Sequence, residues 1–238
     1  MKAILNLILV SMLITIIGNL NAEASIGESR STDSEKAAKT LEKVVMASYH
    51  VMKDSENGIP QSLISKSEGI MIFPGACKVA AGAYNRQGGR GIAMIRNEDG
   101  NWSNPFIVSF GEGSLGFQTG TQASDIVLLF QDRNDIIEID KVYITLGGDV
   151  GIAAGPSDKG SSSSTDITFE SDIYSYYLNK GLFTGVNLSG GILSYNERIS
   201  ESLYGKDDAS MDEIFRGAET PFNDKVNDLI EALVMYGE

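Results

Sequence analysis

The sequence predicts an α+β fold in which a strongly bent, mostly antiparallel and glycine-rich sheet, either barrel-like or a sandwich, carries helices packed at its N- and C-terminal ends. Strand-like segments separated by turn signals fill the chain from residue 69 to residue 188. Apolar residues recur at helical spacing before and after this region. The chain has 26 glycines and 5 prolines, a balance that favours many strands with tight bends.

Residues 1–24 have the pattern of a secretory signal peptide. Lys2 supplies a positive start, an apolar run covers Ala3–Leu20, and residues 22–24 (Ala-Glu-Ala) form a small-x-small cleavage site. We therefore expect an exported protein, periplasmic or secreted, whose mature chain begins near Ser25. The apolar run is also long enough to act as an uncleaved membrane anchor, so both outcomes stay open.

A long amphipathic helix is predicted to begin at Asp33 or Ser34 and to end at Asn57-Gly58. Its polar face mixes lysines with acids, so the helix either packs on the sheet or lies on a membrane surface. A short second helix is predicted over Pro60–Lys66. The positions on the apolar face of the long helix are Ala37, Leu41, Val44, Val45, Ser48, Val51 and Met52.

Short strands joined by turns are predicted after the second helix. The glycine-rich segment Arg86–Arg90 predicts a hairpin turn, and Asp99-Gly100 predicts another. Residues 132–140 fit either a short helix or a polar turn, and residues 142–154 fit a strand bent at its glycines. The predicted strands cover residues 69–74, 78–85, 91–96, 102–110, 109–125, 126–131, 169–178 and 182–188.

The C-terminal part of the chain returns to helical patterning. Short helices are predicted over 197–204 and 211–216, and Thr220-Pro221 caps a last helix. The apolar stripe of this last helix consists of Phe222, Val226, Leu229, Ile230, Leu233 and Val234. We expect a signal peptide at 1–24, an N-terminal helical segment at 25–68, a β-rich core at 69–206 and a C-terminal helix at 207–238 on the same domain.

The segment Ser109–Asp125 has the highest density of glycines at strand spacing. It contains Gly111-x-Gly113-x-x-Gly116, the letters of a dinucleotide-binding fingerprint. That fingerprint requires a helix to begin inside it, whereas this chain continues in extended alternation. We therefore predict a glycine-bent strand whose glycines serve curvature and close strand packing. Gln118, Gln122 and Asp125 are polar positions in this segment to which the sequence assigns no role.

Charge and residue inventory exclude several functions. The formal net charge of −13 argues against nucleic-acid binding, and contact with an anionic membrane would need a local basic patch. His50 is the single histidine and Cys77, which we expect to be buried, the single cysteine. Catalytic Ser-His-Asp or Cys-His systems and Cys/His zinc sites are therefore not expected. Carboxylate pairs from distant strands stay open, although nothing points to one.

The segment from Gly69 to Lys206 resembles the SYLF domain family, a lipid-binding domain also described as the yeast actin-patch type. Its motifs occur in order over about two thirds of the mature chain. The Gly113–Asp125 segment resembles the most characteristic one. The matching motifs are Gly69-Ile-x-Ile-Phe-Pro74, Lys78, Gly91, Trp102-Ser103-x-Pro105, Gly113-Ser-x-Gly-Phe-Gln-x-Gly-x-Gln122, Asp125, Ala153-Ala-Gly-Pro156, Tyr174-Ser-Tyr176, Lys180-Gly-Leu-Phe-x-Gly-Val186, Leu188 and Tyr204-Gly-Lys206.

The resemblance implies a lipid-binding module of a bacterial exported type, without catalysis or a cofactor. Its implied partners are anionic phospholipids, including phosphoinositides, at a membrane surface. We expect no actin partner, because an exported protein does not meet actin. The alternative is an envelope structural module that binds a protein or itself. Basic residues in or beside the motifs would hold a lipid phosphate, and nearby aromatic residues would touch acyl chains. These candidates are Lys78, Arg86, Arg90, Lys180 and Lys206, with Phe183, Tyr174 and Trp102.

Overall fold

The protein is described here by a computed structural model, which covers residues 32–49, 59–140, 143–156, 169–179, 182–206, 210–217 and 225–237. The predicted signal peptide, His50, the predicted helix end at Asn57-Gly58 and the cap at Thr220-Pro221 lie outside these residues. Within them the fold is α+β, as predicted, with a strongly curled and mostly antiparallel sheet flanked by N- and C-terminal helices.

Two long strands form the centre of the fold. β1 runs over Gly69–Ile95 and β2 over Phe106–Phe130, and they pair antiparallel along most of their length. The separate strands predicted between residues 69 and 131 are therefore two continuous ones. The turn that joins them lies at the predicted position, where Gly100 adopts a φ of +83°.

The predicted hairpin at Arg86–Arg90 is wrong, because these residues continue within β1 and pair with β2. A two-residue hairpin turn requires a positive φ, and neither Gly88 nor Gly89 has one. Glycine pairs are compatible with both turns and strands. Here every residue from Arg86 to Arg90 pairs with a residue of β2, and this pairing stabilises the strand.

Five short strands complete the sheet. β7 (Ile192–Tyr195) and β5 (Ile173–Asn179) pair with opposite ends of β2. β3 (Ile144–Thr145) pairs with β7, β6 (Leu182–Gly185) with β5, and β4 (Ile152–Ala154) with β5 in parallel. The bent strand predicted at 142–154 is thus two strands in different parts of the sheet, separated by a turn at Gly147 with a φ of +77°.

The long β1–β2 ribbon curls so that its two ends pack together. A Cβ atom on Gly91 would lie 2.0 Å from the Ile72 carbonyl oxygen, so only glycine permits this approach. The rings of Phe73 and Phe110, from opposite ends of the ribbon, have centroids 5.6 Å apart. The enclosed apolar side chains form the core. This close packing gives a structural role to Gly91, which lies outside the Ser109–Asp125 segment. At Gly111 and Gly113 of that segment a Cβ atom would meet nothing within 4 Å, so the close packing predicted for its glycines does not occur at these two positions.

A bulge in β1 explains Asp125, the polar residue without a predicted role. The register slips between Phe73 and Ala76, where Gly75 adopts a φ of +59°. The Gly75 amide donates a hydrogen bond to Asp125 Oδ1 at 2.7 Å across the ribbon. Asp125 therefore holds the bulge. Cys77 follows this bulge and is exposed, so the expectation of a buried thiol is wrong.

The helices cover the sheet. α1 covers residues 32–49, and its predicted apolar positions Ala37, Leu41, Val44, Val45 and Ser48 are buried. The other helices are α2 (Gln61–Lys66), α3 (Asn134–Ile137) with a 3₁₀ turn at Glu138–Asp140, α4 (Glu197–Tyr204), α5 (Met211–Phe215) and α6 (Lys225–Gly237).

Helix α4 is fixed to the start of β2 by side-chain hydrogen bonds. Ser200 Oγ accepts from the Ile107 amide at 2.9 Å, and the Tyr204 hydroxyl donates to the Pro105 carbonyl. At the other end of the helix, Asn196 Nδ2 donates to Ser109 Oγ at 3.3 Å. These bonds place the first turn of α4 at a defined position above β2, and this placement shapes the site described next.

Candidate functional site

Two cations contact one buried carboxylate, and the charge of a third acts on it, where α1, α4 and β1 come together. Asp33 has a relative exposure of 1%. Its two carboxylate oxygens lie 2.8 Å from Lys36 Nζ and 2.8 Å from Arg198 Nε. The hydrogen bond from Lys36, assisted by the charges of Arg198, Lys36 and Arg90, lowers the pKa of Asp33 although burial opposes this shift. We call Asp33, Lys36, Arg90 and Arg198 the basic cluster.

The basic cluster presents positive charge to solvent. Three positive charges around one carboxylate leave a net charge of +2. The side chain of Arg198 is 69% exposed and that of Lys36 40% exposed, whereas the carboxylate they share is 2% exposed. The anion is thus hidden, whereas Lys36 and Arg198 are exposed. The Arg90 Nε atom is buried and has no hydrogen-bond partner in the described part of the chain.

Arg90 also belongs to an open face of the sheet. Directly opposed residues of antiparallel strands share a face, and successive residues alternate. Arg86 opposes Gly113, Gly88 opposes Gly111 and Arg90 opposes Ser109. On the next strands Ile192 opposes Gly111 and Thr145, and Ser194 opposes Ser109. One face of β1, β2, β7 and β3, which we call the open face, therefore carries Arg86, Gly88, Arg90, Ser109, Gly111, Gly113, Thr145, Ile192 and Ser194.

A groove of about 440 Å³ lies on the open face. Arg86, Gly111, Gly113, Ile192 and Tyr143 are among its lining residues. Tyr143 directly precedes β3 and is 73% exposed, and Ile192 is 47% exposed. The groove therefore combines an exposed cation with two exposed apolar side chains. Gln87, Phe110 and the acidic Glu112, from the neighbouring rows of β1 and β2, also line it.

The opposite face of the same strands points into the curl. Gln87, Phe110 and Leu193 are buried there, and the Tyr177 hydroxyl donates to Gln87 Oε1 at 2.7 Å. Burial raises the pKa of Tyr177 to about 12. Burial also raises the pKa of Glu112, against the charge of Lys78. These residues form a polar part of the curled interior.

The structure brings together two of the five predicted basic residues. Arg86 and Arg90 share the open face. Lys78 is half-buried on β1 opposite Gln122, and its charge acts on Glu112. Lys206 lies just after the C-terminal end of α4, whereas Arg198 is in the first turn of that helix. Its Nζ atom lies 3.7 Å from Glu213 Oε2. Lys180 lies outside the described residues. The lipid-binding role of each stays a prediction.

The predicted aromatic residues occupy other positions. Trp102 is 4% exposed, and the Arg96 guanidinium lies 4.4 Å from its ring centre. Tyr174 is 6% exposed, and its ring stacks on Phe169 at 5.1 Å. Phe183 belongs to β6, but its side chain lies outside the described part of the chain. Trp102 and Tyr174 thus pack in the interior, and the exposed aromatic ring at the groove is that of Tyr143.

Sequence reasoning missed Lys36, Arg198, Tyr143 and Ile192. Lys36 and Arg198 come from opposite ends of the chain, and no local pattern reports that one carboxylate joins them. The only indication of the basic cluster in the sequence was Asp33, which lies at the start of a predicted helix. The structure shows that this aspartate is buried. Tyr143 and Ile192 alternate with the buried Ile144 and Leu193, so their exposure follows once the strands are assigned.

A polar cleft of about 860 Å³ lies elsewhere on the molecule and is lined by acids and two arginines. Burial, with the charges of Asp132, Asp172 and Glu138, raises the pKa of Asp135 to about 6. Across the residues that the structure covers, no group of His, Cys, Asp or Glu is arranged to hold a metal ion. The cleft therefore shows charge crowding without a metal site.

Comparison with known proteins gives one consistent result. Residues 111–236 match the family model Ysc84, described as "Las17-binding protein actin regulator". The chain is 30% identical over 192 residues to SH3 domain-containing YSC84-like protein 1 of Xenopus laevis, which covers 78% of this chain and 55% of the relative. It is 28% identical over 213 residues to the human protein of that name, and this alignment covers 87% of this chain and 59% of the human protein.

A yeast relative extends the same similarity. Protein YSC84 of Saccharomyces cerevisiae is 25% identical over 183 residues, which cover 76% of this chain and 38% of the relative. The chain therefore spans at most about three fifths of the length of these curated relatives. What their remaining parts do does not transfer to this chain.

Proposed function

The chain belongs to the Ysc84 family of SYLF domains, and on this premise we propose that it binds the surface of anionic phospholipid membranes without catalysing a reaction. The anionic lipids include phosphoinositides where the protein meets them. The observation that carries the proposal is the basic cluster, in which a hidden carboxylate pairs with Lys36 and Arg198 and feels the charge of Arg90, so that the four residues have a net charge of +2.

The basic cluster is notable because the rest of the molecule is acidic. A formal net charge of −13 repels an anionic surface at long range. Binding therefore requires a local patch that approaches within a Debye length, about 10 Å at 0.1 M salt. Arginine and lysine near a membrane contribute about 1 kcal/mol each. Arginine also forms paired hydrogen bonds with phosphate oxygens.

We further propose that the protein is exported and peripheral to its membrane. The signal-peptide pattern of residues 1–24 supports export. Across the described ranges, no helix has both the length and the apolar character needed to span a bilayer. Attachment through the basic cluster would make the protein peripheral to the membrane.

Vesicle flotation of the full chain tests the proposal. The wild type is mixed with phosphatidylcholine vesicles that contain phosphatidylglycerol, phosphatidic acid, cardiolipin or a phosphoinositide. The double variant Lys36→Gln/Arg198→Gln removes two charges, so we expect binding about 30-fold weaker. Arg216→Gln is the matched control, because it removes an equally exposed arginine that pairs with Asp212 instead.

Two results count against the proposal. Absence of wild-type binding to every anionic vesicle contradicts it outright. Equal binding by the double variant, with its fold intact by circular dichroism, removes the basic cluster from the function. Capture of a protein, including filamentous actin, by the lipid-free chain would instead favour the protein-interaction alternative.

A further inference from the structure

We propose that the groove on the open face is the point where the protein enters the lipid layer, with Arg86 on a lipid phosphate and Tyr143 and Ile192 against the upper acyl chains. The inference rests on the proposed function and adds a binding site, an orientation and a depth. Its occupant is a phospholipid of the bilayer.

Large exposed apolar side chains occur at two places in the described part of the chain, and this groove is one of them. Among the described residues, four large hydrophobic side chains are exposed, and two of them, Tyr143 and Ile192, line this one groove. The other two, Met46 and Tyr49, lie together on α1. Tyrosine favours the headgroup level of a membrane, where its ring meets apolar groups and its hydroxyl meets water. Isoleucine favours the hydrocarbon just below.

Arg86 supplies charge complementarity to a phosphate. Its side chain is exposed, and it makes no ion pair or hydrogen bond with any described residue. Its cross-strand neighbour is Gly113, and a Cβ atom there would meet nothing within 4 Å. The guanidinium therefore has free donors and free space beside it. A phosphate diester is the matching anion, since an arginine fork can bind two of its oxygens.

The spacing of these residues suits one lipid. Ile192 lies two strands away from Arg86 and is offset from it by two residues along the strand direction. For a strand spacing of about 4.8 Å and a rise of about 3.4 Å per residue, their Cα atoms are about 12 Å apart. A glycerol backbone together with the upper part of one acyl chain can extend over this distance from a phosphate. Gly111 lies between them, and a Cβ atom on it would also meet nothing within 4 Å, so the groove floor is open.

One residue of the basic cluster lies on the same face of the sheet as the groove. Arg90 lies on the same face of β1 as Arg86, four residues further along, and belongs to that cluster. A membrane that touches Tyr143 and Ile192 therefore meets Arg86, and the same face of β1 leads from Arg86 to Arg90.

Fluorescence quenching by brominated lipids tests this inference. Tyr143→Trp places a reporter at the groove, while the native Trp102 is 4% exposed and serves as the unquenched reference. On anionic vesicles we expect a blue shift and strong quenching of the new tryptophan. Tyr49→Trp, on the other exposed apolar patch, is the matched control and is expected to show no quenching. Arg86→Gln should bind these vesicles about fivefold more weakly, and Arg216→Gln as the wild type.

The outcomes separate this inference from the proposed function. Vesicle binding without quenching at Tyr143→Trp overturns the inference and leaves the function standing, and quenching at Tyr49→Trp instead assigns the contact to α1. Absence of any vesicle binding overturns both. If glycerol 3-phosphate alone binds with vesicle-like affinity, the groove takes a soluble anion. If Tyr143→Ser/Ile192→Ser dissolves a wild-type dimer in sedimentation, the occupant is a second copy.

Discussion

Asp33 connects stability and the proposed site in a single residue. It is buried, yet the cations that compensate its charge are exposed. Exposed partners are screened by water, so the ion pairs contribute far less than a fully buried salt bridge. The lowered pKa of Asp33 still means that the folded state favours its carboxylate form.

Arg198→Gln should therefore lower the free energy of unfolding by about 1 kcal/mol at pH 7, because it removes a partner of a buried carboxylate. The pKa of Asp33 is lower in the folded state. Its stabilisation is thus complete above the unfolded value of about 4 and lost as pH falls below it. Urea unfolding at pH 7 and near pH 3 measures the difference. A variant that is equally weakened at both pH values contradicts this electrostatic origin.

Asp135 affects the pH dependence of stability in the opposite direction from Asp33, because its pKa is raised in the folded state. Burial and three neighbouring acids raise its pKa to about 6, so its carboxylate destabilises the folded state above that pH. Asp135→Asn should raise the free energy of unfolding at pH 7.5 by about 1 kcal/mol after solvent screening. The gain should decline as pH falls from 6 and disappear below about 4, the ordinary pKa of an aspartate, where both states bind the proton. Glu98→Gln, an exposed acid of the same cleft, should change stability little, and an equal gain there would contradict the local cause.

At the scale of elements, the glycines of the β1–β2 ribbon divide into two classes. Gly91 is required by packing, because a Cβ atom would lie 2.0 Å from the Ile72 carbonyl oxygen. Packing does not require Gly111, because a Cβ atom there would meet nothing within 4 Å. Glycine in a strand costs about 0.5–1 kcal/mol relative to alanine when nothing requires it.

Alanine at each position should separate the two classes. Gly91→Ala should destabilise the fold by about 3 kcal/mol, since the core must shift to admit the methyl group. Gly111→Ala should leave stability unchanged or raise it by about 0.5 kcal/mol. Thermal unfolding of both variants checks this. Similar losses at both positions would show that the floor of the groove is also packed.

Local patterns predicted the elements that depend on local sequence. The apolar face of α1, the short α2, the Asp99-Gly100 turn and α4 all follow from periodicity or turn chemistry. The failures lie where pairing over a distance decides. Gly88 and Gly89 suit a turn, and the partner strand makes them part of β1 instead.

The candidate site shows the same division. Arg86 and Arg90 were predicted because they lie among the family motifs. The sequence did not predict that Lys36 and Arg198 join Arg90, because Asp33 brings them together through α1 and α4 packing. Nor did it predict that Trp102 is enclosed by Arg96, whose Nε donates to the Ser67 carbonyl at 2.9 Å.

At the scale of the whole molecule, the charge distribution sets the orientation. In a chain with a net charge of −13, a local cluster of net positive charge creates an electrostatic asymmetry that turns the cluster towards an anionic surface. The groove on the same side then supplies apolar contact that salt does not screen. We therefore expect binding with a steep electrostatic component and a smaller apolar one.

The dependence of binding on lipid charge tests this central claim most directly. Flotation of the full chain is measured on phosphatidylcholine vesicles with increasing phosphatidylglycerol, at low and at physiological salt. We predict no detectable binding to the neutral vesicles, a steep rise with the anionic fraction, and weaker binding at higher salt. Binding that is the same on neutral and anionic vesicles, or absent from both, would contradict the claim.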